Sequence, residues 1–189
     1  MTAAEPTSVR RGSLSRSVRS ARHRARVLEA MGLLVLGAAA QKWVPMTRWS
    51  PVLGHHGAVP EAWSGQEVVR LPAVAASLVE RRVAVAILSG VRRLPFEPTC
   101  LAQATAGQIM LRARHSSGVV VIGLRPKPER DAGPWDAHAW LLGRVGALTG
   151  GAAAAGFTAA TVFEVPGALT AAEVELPSVR AAPPASAAS

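Results

Sequence analysis

The chain has 189 residues, enough for one domain with a substantial core and hardly two. Its single cysteine excludes an internal disulfide and a four-cysteine zinc site, and fits a reducing compartment. The net charge of +9 points to nucleic acid only until it is located: residues 1–28 hold seven arginines against Glu5, a balance of +6, leaving +3 for the other 161 residues. The basic segment has no interleaved aromatics, which argues against a dedicated nucleic-acid binder.

In chain order, residues 1–21 read as a disordered basic tail able to touch phosphate, anionic lipid or an acidic partner. Arg10-Arg11 and the apolar run Ala30 to Ala40 imitate an export signal. That run is 11 residues long, well short of the roughly 20 a membrane-spanning helix needs. Leu28, Met31, Val35 and Ala38/Ala39 fall at helical spacing and predict a buried or amphipathic first helix from about Arg22 to Lys42, ending before Pro45. The expectation is a cytoplasmic protein whose tail can contact a membrane without spanning it. Trp43 to Pro51 is a turn-rich connection whose tryptophans can pack on the core, and His55-His56 continue a loop to Gly65. Gln66 to Val91 reads as a long helix, with Pro72 in its first turns or marking its start.

Arg92 to Pro98 is an extended lead-in to a helix over Cys100 to Arg114, capped by Thr99, with Ala102, Ala106, Ile109 and Ala113 as its core stripe. Val119 to Leu124 is a buried strand, 125–135 a polar loop, Asp136 to Leu142 a second strand and Phe157 to Val165 a third, with a glycine-rich break over 143–156. The domain plan is a basic tail (1–21), one domain (22–166) and an Ala/Pro/Ser-rich flexible tail (167–189). The fold class is α+β, with N-terminal helices followed by a small antiparallel sheet.

Two residues carry the chemistry. Cys100 starts a helix, where the dipole and unused N–H groups favour the thiolate and can hold an oxyanion. His138 follows on a strand, sharing a face with Asp136 and Trp140, while Ala137, Ala139 and Leu141 take the face beneath the helices. Singly, such a cysteine is as readily a small buried hydrophobe and such a histidine a structural residue. In the order Cys-helix, strand, His-strand they form the core of a papain- or transglutaminase-like nucleophile site, suited to acyl transfer from an amide. Trp140 would wall the site or shield the imidazole. No metal or cofactor is expected: His55-His56 has no accompanying ligands at recognisable spacing, and Gly150-Gly151 opens no phosphate loop.

Over about residues 25–165 the chain resembles the stand-alone leader peptidases of lasso-peptide biosynthesis (the B protein, a microcin-processing, transglutaminase-like domain). The likeness rests on Arg26-Val27-Leu28-Glu29-Ala30, Arg48-Trp49-Ser50-Pro51-Val52-Leu53-Gly54, Arg93 through Leu101 with its Pro-Thr-Cys-Leu, Ile122-Gly123-Leu124 and Ala137-His138-Ala139-Trp140. It implies a papain/transglutaminase-like cysteine protease core, with Cys100 as nucleophile and His138 as base and acid, that removes the leader of a ribosomally made precursor peptide. It also implies two protein partners: a separate leader-binding protein, since residues 1–25 cannot form that module, and an asparagine-synthetase-like cyclase that closes the macrolactam. The family pattern suggests an aspartate after the His-Ala-Trp strand, but none follows Asp136. Glu164 is the candidate third member and Asp136 the alternative. The missing aspartate leaves two other readings open: a non-catalytic scaffold of the same complex, or another Cys/His acyltransferase.

Overall fold

The computed structural model describes residues 8–127, 133–174 and 179–181. Helix α1 (Ser8–Trp43) begins well before Arg22, so residues 8–21, expected to be disordered, are helical. Arginine is a good helix former and serine a mild one, and a helix anchored on the core further along can propagate through them. α1 packs on α3 (Leu78–Val91) and α4 (Cys100–Arg112). It buries Val27, Ala30 and Leu34, while Leu28 and Val35, expected on the core face, are 68% and 44% exposed. Both phases of the helix are apolar, so periodicity alone does not choose between them; Gly90 of α3, set against Leu34, Met31 and Ala30, marks the face that fits closely. Glu29 then ties α1 to the end of α4 through an ion pair with Arg114 at 2.6 Å. Among the described residues no helix is long and apolar enough to cross a membrane.

The expected long helix over Gln66–Val91 is instead β2 (Gln66–Val68), an irregular segment and α3. The start of α3 is fixed by a capping box: Ser77 Oγ accepts from Glu80 N–H at 3.1 Å, and the Glu80 carboxylate accepts from Ser77 N–H at 3.1 Å and Ala76 N–H at 2.6 Å. That signature, Ser-x-x-Glu, outranks the apolar spacing before it. In the connection after α1 lie a short helix α2 (Met46–Trp49) and β1 (His55–Gly57), which replaces the expected loop at His55-His56.

β3 (Val119–Pro126), β4 (Trp135–Leu142), β5 (Ala147–Thr149), β6 (Thr158–Glu164) and β7 (Val179–Ala181) complete a seven-stranded antiparallel sheet in the order β5-β4-β3-β6-β2-β7, with β1 also on β6. Both faces are covered. Val120, Ala139, Leu141 and Phe163 face the helices; Val119, Val121, Trp140, Leu142 and Val162 face a second core with Trp63, Leu71, Phe157, Leu169 and Val174. Leu169 and Val174 belong to the segment expected to be a loose tail from 167 onward. Its Ala/Pro/Ser composition hides two apolar anchors and a second capping box, Thr170 with Glu173.

α4 is the central helix and is buried on more than one side, so the expected stripe is too narrow. Ala102 and Ala106 are buried as expected, but Ala104, Gln108, Met110 and Leu111 are buried too, whereas Ile109 is half-buried and Ala113 exposed. The Gln108 amide, fully buried, donates to Leu53 O (3.2 Å) and Gly118 O (3.0 Å) and accepts from Gly118 N–H (3.0 Å), fixing the start of β3 on the helix.

Gly123 faces Trp140: a Cβ there would stand 2.5 Å from the indole Cη2. Trp140 is fully buried, so it has little room to move aside. Gly123→Ala is expected to destabilise the domain by about 1–3 kcal/mol, the usual range for overpacking. Thermal and urea unfolding would show it; an unchanged midpoint would mean that the indole does not set this spacing.

Candidate active site

Cys100 is placed from the helix side. Thr99 Oγ1 accepts from Ala102 N–H at 3.1 Å, capping α4 as expected, and donates to Gln41 Oε1 of α1 at 2.6 Å. Gln103 Nε2 donates to Pro98 O at 3.0 Å, which folds the lead-in back on the first turn. Cys100 is thereby held at the first position of the helix, half-buried. Its own N–H lies among the first-turn donors that no helical carbonyl can reach.

The histidine is placed from the sheet side. β5 pairs with β4 only at Leu141–Thr149 and Leu142–Ala147. The chain then turns away at Gly150, whose φ is +73°. The outer edge of β4 is open at His138 and Ala139, and the groups it frees are used by the site. Ala139 N–H donates to Cys100 Sγ at 3.4 Å, and His138 Nε2 donates to Gly150 O at 2.8 Å. A carbonyl can only accept, so Nε2 carries the proton and Nδ1 is left for the thiol.

Burial pushes the Cys100 thiol up. Hydrogen bonds with His138 and Ala139 N–H, the imidazole's charge and Leu101 N–H outweigh it and leave the thiol below its ordinary value. His138 is raised, first by its hydrogen bond with Cys100, against desolvation, and then by the Gly150 carbonyl, the thiolate charge and, least, Asp136. Both shifts favour a thiolate–imidazolium pair, whose apparent titrations belong to the pair. The pair opens on a cleft of about 530 Å³ lined by Glu97, Pro98, Gln103, Gly150 and Ala152.

Cys100 and His138 are therefore brought together; the two candidate third members are not placed to orient the ring. Asp136 lies two residues from His138 on β4 and is engaged by Arg125 at 2.8 Å. Glu164 accepts from Ala171 N–H at 2.6 Å, where it pins the 166–174 segment to β6. The orienting acceptor is the Gly150 carbonyl, a backbone atom with no side-chain signature; its one hint in the sequence is a Gly-Gly pair at a strand end, where a positive φ is needed. Trp140 does not line the cleft. Fully buried, it backs the imidazole at 6.0 Å between ring centroids, with Phe157 at 5.4 Å on a tilted approach. Phe157, with the Arg125 guanidinium 4.4 Å from its centroid, and Gln103 are site residues that sequence reasoning did not single out. Among the described residues no group of three His, Cys, Asp or Glu could hold a metal ion. His56 instead shares a hydrogen bond with Thr161 at 3.0 Å and packs on Phe163.

A paired thiol and imidazole, at the meeting of a helix N-terminus and an antiparallel sheet, define the class of site that moves acyl groups through a cysteine. The chain belongs to the Transglutaminase-like superfamily, which it matches over residues 40–162. The matched span contains Cys100 and His138 and ends before Glu164. Membership is consistent with a cysteine peptidase or acyltransferase. Searches of curated proteins and of solved structures found no match.

Two measurements test this geometry. Iodoacetamide should alkylate Cys100 at a pH below the ordinary thiol range, because the thiolate is stabilised there; His138→Ala should move that titration upward toward the ordinary value. A wild-type profile like that of a free thiol would mean that the pair does not form. In Gly150→Ala the new methyl would meet Ala139 O at 2.6 Å and disturb the carbonyl that orients the ring. Its alkylation rate at neutral pH is expected to fall by about tenfold, one pKa unit of lost thiolate stabilisation. A wild-type titration in this variant would remove Gly150 from the site.

Proposed function

We propose that the chain is a cysteine peptidase that removes the leader from a ribosomally made lasso-peptide precursor before a partner cyclase forms the macrolactam. The observation that carries the peptidase reading is the Cys100–His138 pair opening on a cleft of about 530 Å³. The substrate and the partners, a leader-binding protein and an asparagine-synthetase-like cyclase, rest on the resemblance of the Pro98-Thr99-Cys100-Leu101 and Ala137-His138-Ala139-Trp140 segments to leader peptidases.

The chemistry follows from the geometry. The Cys100 thiolate attacks the scissile carbonyl carbon, and the oxyanion lies near the Cys100 N–H at the start of α4. The C–N bond breaks as the imidazolium gives its Nδ1 proton to the departing amine, leaving a thioester and a neutral imidazole. Water then attacks the thioester while His138 takes a proton from it, and the thiolate leaves as the carboxylic acid forms. The Gly150 carbonyl holds Nε2–H throughout. This lessens the case for a non-catalytic scaffold, which rested on the missing aspartate. Membership of the superfamily supports a second reading, in which an amine replaces water and the product is a new amide.

Incubation of the cognate precursor with this protein and its leader-binding partner, followed by mass spectrometry, distinguishes the readings. Wild type is expected to cut one bond, with addition of water, and Cys100→Ala to cut none; a loss of about 10⁴-fold or more is normal for a missing nucleophile. Equal processing by both proteins would refute the peptidase reading. An added amine appearing in the product would identify the acyltransferase.

A further inference from the structure

Beside the Cys100 cleft lies a second hollow of about 510 Å³ between α3 and β5. The two share Gln103, Gly150 and Ala152, so they adjoin one another at these residues. Their linings differ in kind. Val74, Val85, Leu88 and Leu148 make the second hollow strongly apolar, and among the described residues that line it Arg81 is the one that is charged. Val74, Val85 and Leu88 are 43%, 45% and 52% exposed, a cluster of large apolar side chains facing solvent at one place. Its floor includes Thr149, 9% exposed, whose buried hydroxyl has no hydrogen-bond partner.

We infer that this groove is a specificity site for the scissile peptide itself: it takes an apolar side chain of the substrate adjacent to the bond that Cys100 cleaves. The inference rests on the peptidase reading above. A chain whose carbonyl reaches Cys100 must lay its neighbouring residues in whatever hollows adjoin the cleft, and this one adjoins it directly. The volume lies in the range of about 300–1,000 Å³ that suits small-molecule-sized ligands, large enough for a branched or aromatic side chain with part of its backbone. The apolar lining disfavours a charged side chain on desolvation grounds, and Arg81 can offset that cost for a carboxylate but not for an ammonium, so the site selects an apolar residue over lysine. Specificity would then have two sources: the leader recognised by a separate protein, and the residues at the cut recognised by α3 and β5.

The test uses the full chain, its leader-binding partner and the cognate precursor. Each residue within a few positions of the cleaved bond, on both sides, is changed to Lys, and each peptide is assayed with wild type, Val85→Glu and Leu88→Glu. Both protein positions are half-exposed on α3, so glutamate there is compatible with folding, and the two variants check each other. With wild type, one apolar position is expected to lose about tenfold or more in kcat/KM on change to Lys, the scale of hydrophobic-pocket discrimination. In both variants that penalty should shrink, because the apolar residue no longer gains from the groove. Cleavage by wild type in which no flanking position is coupled to Val85 or Leu88 would overturn the groove and leave the peptidase intact. Failure of wild type to cleave at all would overturn the peptidase reading, and this inference with it.

Discussion

The site depends on a strand that ends early. β5 pairs with only the last part of β4, and where it departs the β4 edge presents an N–H with no strand to receive it. An unpaired edge group has to find another partner. Here Ala139 N–H is spent on the Cys100 sulfur, and the departing chain returns a carbonyl, that of Gly150, to the imidazole. Had β5 continued along β4, both groups would have been used in the ladder. The Cys100 sulfur would then have met a closed sheet edge.

For the sulfur to reach that edge, α4 must lie close on β4, and small residues make this feasible. Ala102, Ala106 and Ala139 are all buried, and a Cβ on Gly107 would stand 2.6 Å from Leu141 Cδ2. The bulkiest side chain of β4, Trp140, is on the other face, where it backs the histidine and Gly123 leaves room for the indole. Gln41 and Thr99 lock the start of α4, and Glu29 with Arg114 locks its end, both against α1. Helix and strand thus set the distance between sulfur and imidazole before any substrate arrives.

How much of this was legible depended on where each signal resides. The cap at Thr99, the β-branched run of β3, the alternation in β4 and the pairing of Cys100 with His138 are written in side-chain types at fixed offsets, and sequence reading found them. β1, β2 and β5 have three residues each; such strands exist only through their partners, and nothing local marks them. The choice of face on α1 was open because both faces are apolar, and tertiary fit decided it. The orienting group could not be read from side-chain pattern, because it is a backbone carbonyl. Glu164 and Asp136 were sought because carboxylates are the usual partners of such an imidazole, but here they hold Ala171 and Arg125.

A neutral acceptor on Nε2 also bears on how the histidine would behave in the proposed reaction. A carboxylate would hold the ring's positive charge at every stage. The Gly150 carbonyl contributes only a dipole, Asp136 acts weakly, and the nearest full counter-charge is the Cys100 thiolate. In the proposed reaction that charge leaves the sulfur as its bond to the carbonyl carbon forms, before the amine departs. The imidazolium would then lose the counter-charge beside it and become a stronger acid just as the departing amine needs its proton. The ring would be left neutral, free to accept a proton from water, and would recover its charge when the sulfur is released. Under that reading, bond formation at the sulfur would serve as the histidine's switch from acid to base.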